Sequence, residues 1–131
     1  MPAPVPYLSQ GWVDLLHSVA SDLPERPGAT ARVQHVVTGT PDGEARYAQS
    51  VVDGRVEATT LGTDPEAEVT LTQTYADARR IAEGELDASA AFMQGRIKVV
   101  GDMGKVMALM PLTQSPEYRD ALAEVSRQTA Y

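Results

Sequence analysis

The stretch Arg46-Tyr47-Ala48-Gln49-Ser50-Val51-Val52-Asp53-Gly54-Arg55-Val56-Glu57-Ala58-Thr59-Thr60-Leu61 decides the fold class. Two runs rich in β-branched residues flank Asp53-Gly54, a dipeptide that accepts the positive φ angles of a tight hairpin turn. A two-residue loop there pairs Val52 with Arg55 and Val51 with Val56. It also places Tyr47, Gln49, Val51, Val56, Ala58 and Thr60 on one face. Upstream, Ala31 to Thr38 reads as another strand, and Thr40-Pro41-Asp42-Gly43 as the turn that follows it. Downstream, Gly62-Thr63-Asp64-Pro65 breaks the run, and Glu68 to Thr72 alternates with Val69 and Leu71 on one side.

Helical spacing flanks these strands. Trp12, Leu15, Leu16, Val19 and Leu23 form one apolar face, with Ser9 as N-cap and Pro24 as the stop. Thr74 with Asp77 resembles a capping box, ahead of the apolar positions Ala78, Ile81 and Ala82, and Gly84 closes that helix. Asp87 caps a short helix to Gln94, closed by Gly95. Arg96 to Val100 is a fifth strand, with Ile97 and Val99 facing one way; arriving after a helical excursion it could pair in parallel at an edge or in the centre, and pattern alone does not place it. Asp102 caps a helix through about Met110, stopped by Pro111. Ser115-Pro116-Glu117 opens a last helix with the apolar face Tyr118, Leu122 and Val125. Strands and helices segregated in this way argue for an α+β fold, with helices packed on one face of a mostly antiparallel sheet.

The chain has 131 residues, a net charge of -7 and no cysteine. That length fits one domain, 1–131, in which residues 1–8 are a proline-spaced, flexible N-terminal arm. Without cysteine there is neither a disulfide nor a thiolate site. The acidic balance, with Arg79–Arg80 the only adjacent basic pair, argues against nucleic acid. No apolar run approaches the roughly 20 residues of a membrane span, so no stable membrane insertion is expected. The N-terminus lacks the pattern of a secretory signal, and the expected location is cytoplasmic.

Few residues carry chemistry. The imidazoles are His17, expected to face solvent, and His35, on the first long strand and expected at the surface or half-buried. No spacing repeats a metal-ligand pattern, so no metal and no cofactor is expected. Asp42, Asp53, Asp64, Asp87 and Asp102 stand beside glycine, proline or a helix start and read as turn and cap residues. Gly95, Gly101 and Gly104 match no phosphate-binding loop. Met93, Met103, Met107 and Met110 lie within eighteen residues, the last three at helical spacing. They fit core packing, or the flexible wall of a pocket for apolar ligands.

The block Ala91-Phe92-Met93-Gln94-Gly95-Arg96-Ile97-Lys98-Val99-Val100-Gly101-Asp102-Met103-Gly104-Lys105-Val106-Met107-Ala108-Leu109, with Ala82-Glu83-Gly84-Glu85-Leu86-Asp87 before it, resembles the signature of the sterol carrier protein type 2 family. The resemblance implies a five-stranded sheet covered on one face by helices, with an apolar tunnel between them. It implies non-catalytic binding, with or without transfer, of a fatty acid, acyl-CoA, phospholipid or sterol-like ligand. Carried over residue by residue, it makes Phe92, Met93, Gln94, Ile97, Val99, Met103, Val106, Met107 and Met110 candidates for the ligand site, Gln94 being the polar one. Gly95, Gly101 and Asp102 become structural. Arg96 and Ala108 stand where the family often has lysine, which weakens attraction to a phosphate. Residues 115–131 could close the tunnel or pair two copies in a homodimer.

Two other readings stay open at this stage. One is an enzyme using Tyr47, Gln49, His35 and Gln94 on a hydrophobic substrate. The other is an accessory protein that meets a larger partner through an apolar face.

Overall fold

The computed structural model describes residues 4–21 and 23–131. The elements in chain order are β1 (Val5–Pro6), α1 (Gln10–Ala20), β2 (Ala31–Thr40), β3 (Gly43–Val52), β4 (Arg55–Leu61), β5 (Val69–Thr74), α2 (Tyr75–Ala82), α3 (Ala88–Met93), β6 (Lys98–Gly101), α4 (Met103–Thr113), α5 (Pro116–Arg127) and β7 (Thr129–Ala130). Five strands form one sheet in the order β4-β3-β2-β5-β6. Three of its pairings are antiparallel, and the central β2–β5 pairing is parallel. The fold is α+β, with the helices on one face of a five-stranded mixed sheet. The strand read at 96–100, whose placement the pattern left open, lies at the edge and is antiparallel to β5. The parallel partner of β2 is β5.

The hairpin forms where its turn residues dictate. Asp53 and Gly54 have φ of 48° and 84°, and Val52 pairs with Arg55 and Val51 with Val56. The turn is also pinned from outside. Arg26 N donates to Asp53 O at 2.6 Å and Gly54 N donates to Ala29 O at 2.9 Å. A Cβ on Gly54 would lie 2.7 Å from Arg26 Cβ. Past Val56 the register shifts by one residue: Ser50 pairs with Ala58, Gln49 with Thr59 and Tyr47 with Leu61. Glu57 is the extra residue of a bulge, and a bulge reverses the faces beyond it. Thr59 and Leu61, not Ala58 and Thr60, therefore share the face of Tyr47, Gln49 and Val51.

That face carries Val33, His35 and Val37 from β2, Tyr47, Gln49 and Val51 from β3, and Val69, Leu71 and Gln73 from β5. The helices pack against it. On the opposite face Gln34 is buried, although it is polar. Its Nε2 donates to Gly62 O at 3.0 Å and Tyr47 O at 3.2 Å, and its Oε1 accepts from Asp64 N at 2.7 Å. Arg32, two positions back on the same face, pairs with Asp64 at 3.0 Å and Glu66 at 3.2 Å. The helix-free connection 62–68 thus crosses the back of the sheet, from the edge strand β4 to the inner position of β5.

The helix ends follow the caps read in the sequence. Ser9, Thr74, Asp87, Asp102 and Ser115 each accept a backbone N–H two or three positions into their helix. Two stops differ. The helix α1 ends at Ala20, before Leu23, the residue that Pro24 restricts; Leu23 N closes a turn onto Ala20 O. The helix α4 runs through Pro111 to Thr113. A proline removes one backbone donor and crowds the carbonyl of Met107, yet Gln114 N closes the helix onto Met110 O at 3.1 Å. The N-terminal segment is also tied down. Val5–Pro6 pairs in parallel with Thr129–Ala130, and the Tyr7 ring packs edge-on against Trp12 at 5.0 Å. Within the arm read at residues 1–8, Val5, Pro6 and Tyr7 are thus paired or packed, and residues 1–3 lie outside the described residues.

Two substitutions test these restraints. Gly54→Ala should cost about 2 kcal/mol, since the left-handed conformation alone costs an L-residue 1–2 kcal/mol and Arg26 must also move. Gln34→Leu should cost about 2 kcal/mol by leaving the crossover's polar groups unpaired. Urea unfolding reads both. A change below 0.5 kcal/mol in either would remove that contact from the account.

Candidate functional site

Helices and sheet enclose an apolar space. The larger part has a volume of about 160 Å³. The sheet contributes Val33, His35, Tyr47, Gln49, Val51, Val56, Leu71 and Gln73 to its wall. Trp12, Leu16, Val19 and Ala20 come from α1, Ala78, Ile81 and Ala82 from α2, and Tyr118, Ala121, Leu122 and Val125 from α5. A second part of about 90 Å³ lies beneath α3 and α4, lined by Phe92, Val106 and Met110 among others. Val33, Leu71, Ala88, Ile97, Leu109 and Thr113 line both parts. Among the described residues no lysine, arginine, aspartate or glutamate lines either part.

The seam between α3 and α4 is polar and fixed. Ser89, buried on α3, lies 3.3 Å from Thr113 Oγ1 and accepts from Gln114 Nε2 at 3.3 Å. Thr113 Oγ1 donates to Met110 O at 2.9 Å, in the turn that follows from Pro111. These bonds set the distance between the two helices above the smaller space.

Three polar side chains of the larger space, His35, Gln49 and Tyr47, meet at one place in its sheet wall. His35 stacks on Tyr47, with ring centroids 4.4 Å apart and planes 5° from parallel. Trp12 meets the same Tyr47 ring edge-on at 5.2 Å. His35 Nε2 is 3.0 Å from Gln49 Oε1. Burial pushes the His35 imidazole down to about 4, against the opposing pull of the Gln49 hydrogen bond, so the ring is neutral at pH 7. Its remaining accessible surface belongs to the cavity. Burial likewise raises the Tyr47 and Tyr118 hydroxyls, which stay protonated. His17, expected to face solvent, is half-buried, and its Nδ1 has no partner.

The structure divides the residues expected at a ligand site. Phe92, Ile97, Val106 and Met110 line the cavity. Val99 is half-buried next to it on β6, outside the lining. Met93, Met107 and Met103 point away, with exposures of 83%, 54% and 44%. The inward face of α4 is Val106, Leu109, Met110 and Thr113. The i, i+4, i+7 methionine stripe is rotated outward from it by about one residue, so only Met110 reaches the interior. Gln94 is exposed at the end of α3, where its Oε1 accepts from Arg96 Nε at 2.9 Å. His35, Gln49 and Tyr47 do meet, as the enzyme reading required, but Gln94 is not with them. Sequence reasoning missed Trp12, Leu71 and Gln73 as wall residues. The alternation of β5 already carried the signal for Leu71 and Gln73.

Among the described residues no group of three or more histidine, cysteine, aspartate or glutamate side chains converges as a metal site would require. No helix of the described residues is long and apolar enough to cross a membrane.

The comparisons agree with this architecture. Residues 22–114, more than half of the chain, match the model of the SCP-2 sterol transfer family. The chain belongs to that family. Sterol carrier protein 2 of Rattus norvegicus is 29% identical over 82 residues, which span 63% of this chain and 15% of that protein. A crystal structure of sterol carrier protein 2 superposes with a TM-score of 0.69 at 16% identity, covering 95% of this chain and 99% of that one. The sterol carrier protein domain 2 of Helicoverpa armigera is 27% identical with a TM-score of 0.55, covering 72% of this chain and 71% of that one.

The His35 shift has a thermodynamic signature. A histidine depressed from 6.5 to about 4 binds its proton more weakly in the folded state. The unfolded chain then takes up the extra proton between those values, so stability should fall as pH drops from about 6.5 to about 4. The loss is at most roughly 3 kcal/mol. His35→Phe should flatten that part of a stability–pH curve measured by urea unfolding; an unchanged slope would contradict a buried neutral ring.

Proposed function

We propose that the chain is a non-catalytic carrier that holds one hydrophobic ligand in the space between sheet and helices, continuous there as a tunnel. The observation that carries this reading is the lining: two adjoining apolar spaces, six shared wall residues and no charged side chain. Membership of the SCP-2 sterol transfer family supports it. The proposed ligand contacts are Phe92, Ile97, Val106 and Met110, with Trp12, Leu71 and Tyr118 on the facing walls. The family's wider ligand range, from fatty acids to acyl-CoA, phospholipids and sterols, is narrowed by the walls, since a phosphate would find no cation inside. A space of about 160 Å³ is below the ~300–1,000 Å³ of pockets that enclose a drug-sized ligand, so the helices are proposed to move outward as the ligand enters. The apolar face of α5 is used in the wall, which favours the closing role for residues 115–131 over pairing of two copies.

One observation favours a second reading, an enzyme for a hydrophobic substrate: the meeting of His35 with Gln49 and Tyr47 in the wall. It would require turnover of a bound substrate, lost in His35→Phe.

Native mass spectrometry of the purified chain, followed by solvent extraction, tests the carrier reading. The expected result is a one-to-one adduct in the lipid mass range, or its formation on adding a long-chain lipid. Ala88→Phe, which places a ring where the two spaces join, should lower lipid affinity at least tenfold. The overpacking should cost 1–3 kcal/mol of stability. An apo mass that accepts no lipid would reject a carrier.

A further inference from the structure

Helix α4 is apolar on both of its faces. Val106, Leu109, Met110 and Thr113 line the space beneath it, while Met103, Gly104, Met107 and Pro111 are exposed on the other side. Lys105 is the one charged residue of the helix. The helix α5 also lines the cavity, yet it presents Glu117, Arg119, Asp120 and Arg127 to solvent. A surface helix has a polar outer face, as α5 does; a helix apolar all round belongs between two apolar surroundings. Exposed Met93 extends the bare face onto α3. Met93 and Met107 each follow by one position a residue lining the space beneath, Phe92 and Val106. Ser89 ties the two helices together through Thr113 and Gln114.

Charge points to what covers this face. Residues 88–114, which hold α3, β6 and α4, contain Arg96, Lys98 and Lys105 and a single acid, Asp102. Every other aspartate and glutamate lies outside this segment, and Lys98 and Lys105 are the chain's only lysines. Asp102 is the cap of α4, its Oδ1 accepting from Lys105 N at 3.3 Å. Lys98 is exposed and, among the described residues, makes no ion pair. The chain as a whole is acidic, but at physiological salt the field of a charge fades within about 8 Å, so the local cations decide what approaches this side. Met93, Met103, Gly104, Met107 and Pro111 fall far short of the ~20–30 residues a side of a stable protein interface. A lipid surface has no such threshold, since binding there grows with the apolar area inserted and with the attraction of cations to anionic headgroups.

We propose that the chain docks on anionic lipid bilayers through the outer faces of α3 and α4. Met93, Met103 and Met107 enter the headgroup boundary, and the lysines of the same segment meet its phosphates. The contact is peripheral and reversible. It goes beyond the carrier reading, because it uses the outside of the fold and a chain with an empty cavity docks as well.

The chain has no cysteine, so one introduced thiol reports one place. Met107→Cys and, on the far edge strand β4, Leu61→Cys replace exposed apolar residues. Each is labelled with a polarity-sensitive fluorophore and titrated with vesicles of phosphatidylcholine and phosphatidylglycerol in equal parts, or of phosphatidylcholine alone. The label at residue 107 should shift to the blue and saturate on the anionic vesicles, bind the neutral ones at least tenfold more weakly, and be released by high salt. The label at residue 61 should not shift. Lys98→Gln with Lys105→Gln should weaken binding at least tenfold, at about fivefold for each cation lost. Met93→Gln with Met103→Gln should weaken it at least tenfold while urea unfolding is unchanged. No shift at residue 107, an equal shift at residue 61, equal affinity for neutral vesicles, or full affinity in either double variant would overturn the inference. So would light scattering that finds a dimer lost in Met107→Gln, which gives the face to a second copy of the chain.

Discussion

The amide of Gln34 is the contact on which the arrangement rests. The edge strand β4 ends on one side of the sheet, and β5 must enter beside β2, two strands away. The connection 62–68 makes that crossing behind the sheet and has no helix to shield its backbone groups. Gln34 satisfies Gly62 O and Asp64 N from the middle of β2, and Arg32 fixes the next turn through Asp64 and Glu66. With the crossover held on the back, the front face is left entirely to the helices. The parallel β2–β5 pairing then sets His35, Leu71 and Gln73 in adjacent inward positions.

The front face and its helices do not close completely. Each helix is fixed at its N-terminus by a side-chain cap, and the Ser89–Thr113–Gln114 contacts fix α3 against α4. The β1–β7 ribbon holds the two ends of the described chain together beside Tyr7 and Trp12. Restraints at the periphery hold the walls apart in the middle, where the side chains are mostly valine, leucine and alanine. Among the described residues this interior carries no charged side chain, and His35, Gln49 and Tyr47 meet on its sheet wall.

Much of this was legible in the sequence, because local chemistry decides local structure. Asp53-Gly54 demanded its turn, and Ser9, Thr74, Asp87, Asp102 and Ser115 each marked a helix start. What the sequence hid was non-local. The Glu57 bulge is a product of sheet twist and pairing, so alternation alone carried Ala58 and Thr60 to the wrong face. Pro111 looked like a stop, yet so near a helix end it costs a single hydrogen bond. Methionine spacing in α4 was periodic, but period does not fix phase, and Val106 and Leu109 claimed the inward face. Nothing in the sequence singled out Gln34, because its partners lie 28 and 30 positions away. The cavity wall was half-visible: His35, Gln49 and Tyr47 shared a face, whereas Trp12 and Gln73 came from elements whose packing no motif recorded.

Trp12 is the chain's only tryptophan and part of the cavity wall, which makes it a direct reporter of occupancy. A long-chain alcohol bearing bromine, a contact quencher, should be titrated into the protein while indole emission is followed. A ligand held between sheet and helices predicts quenching that saturates at one molecule per chain. Quenching that never saturates, or emission that does not change while the alcohol is shown to bind, would place the lipid elsewhere and contradict the account.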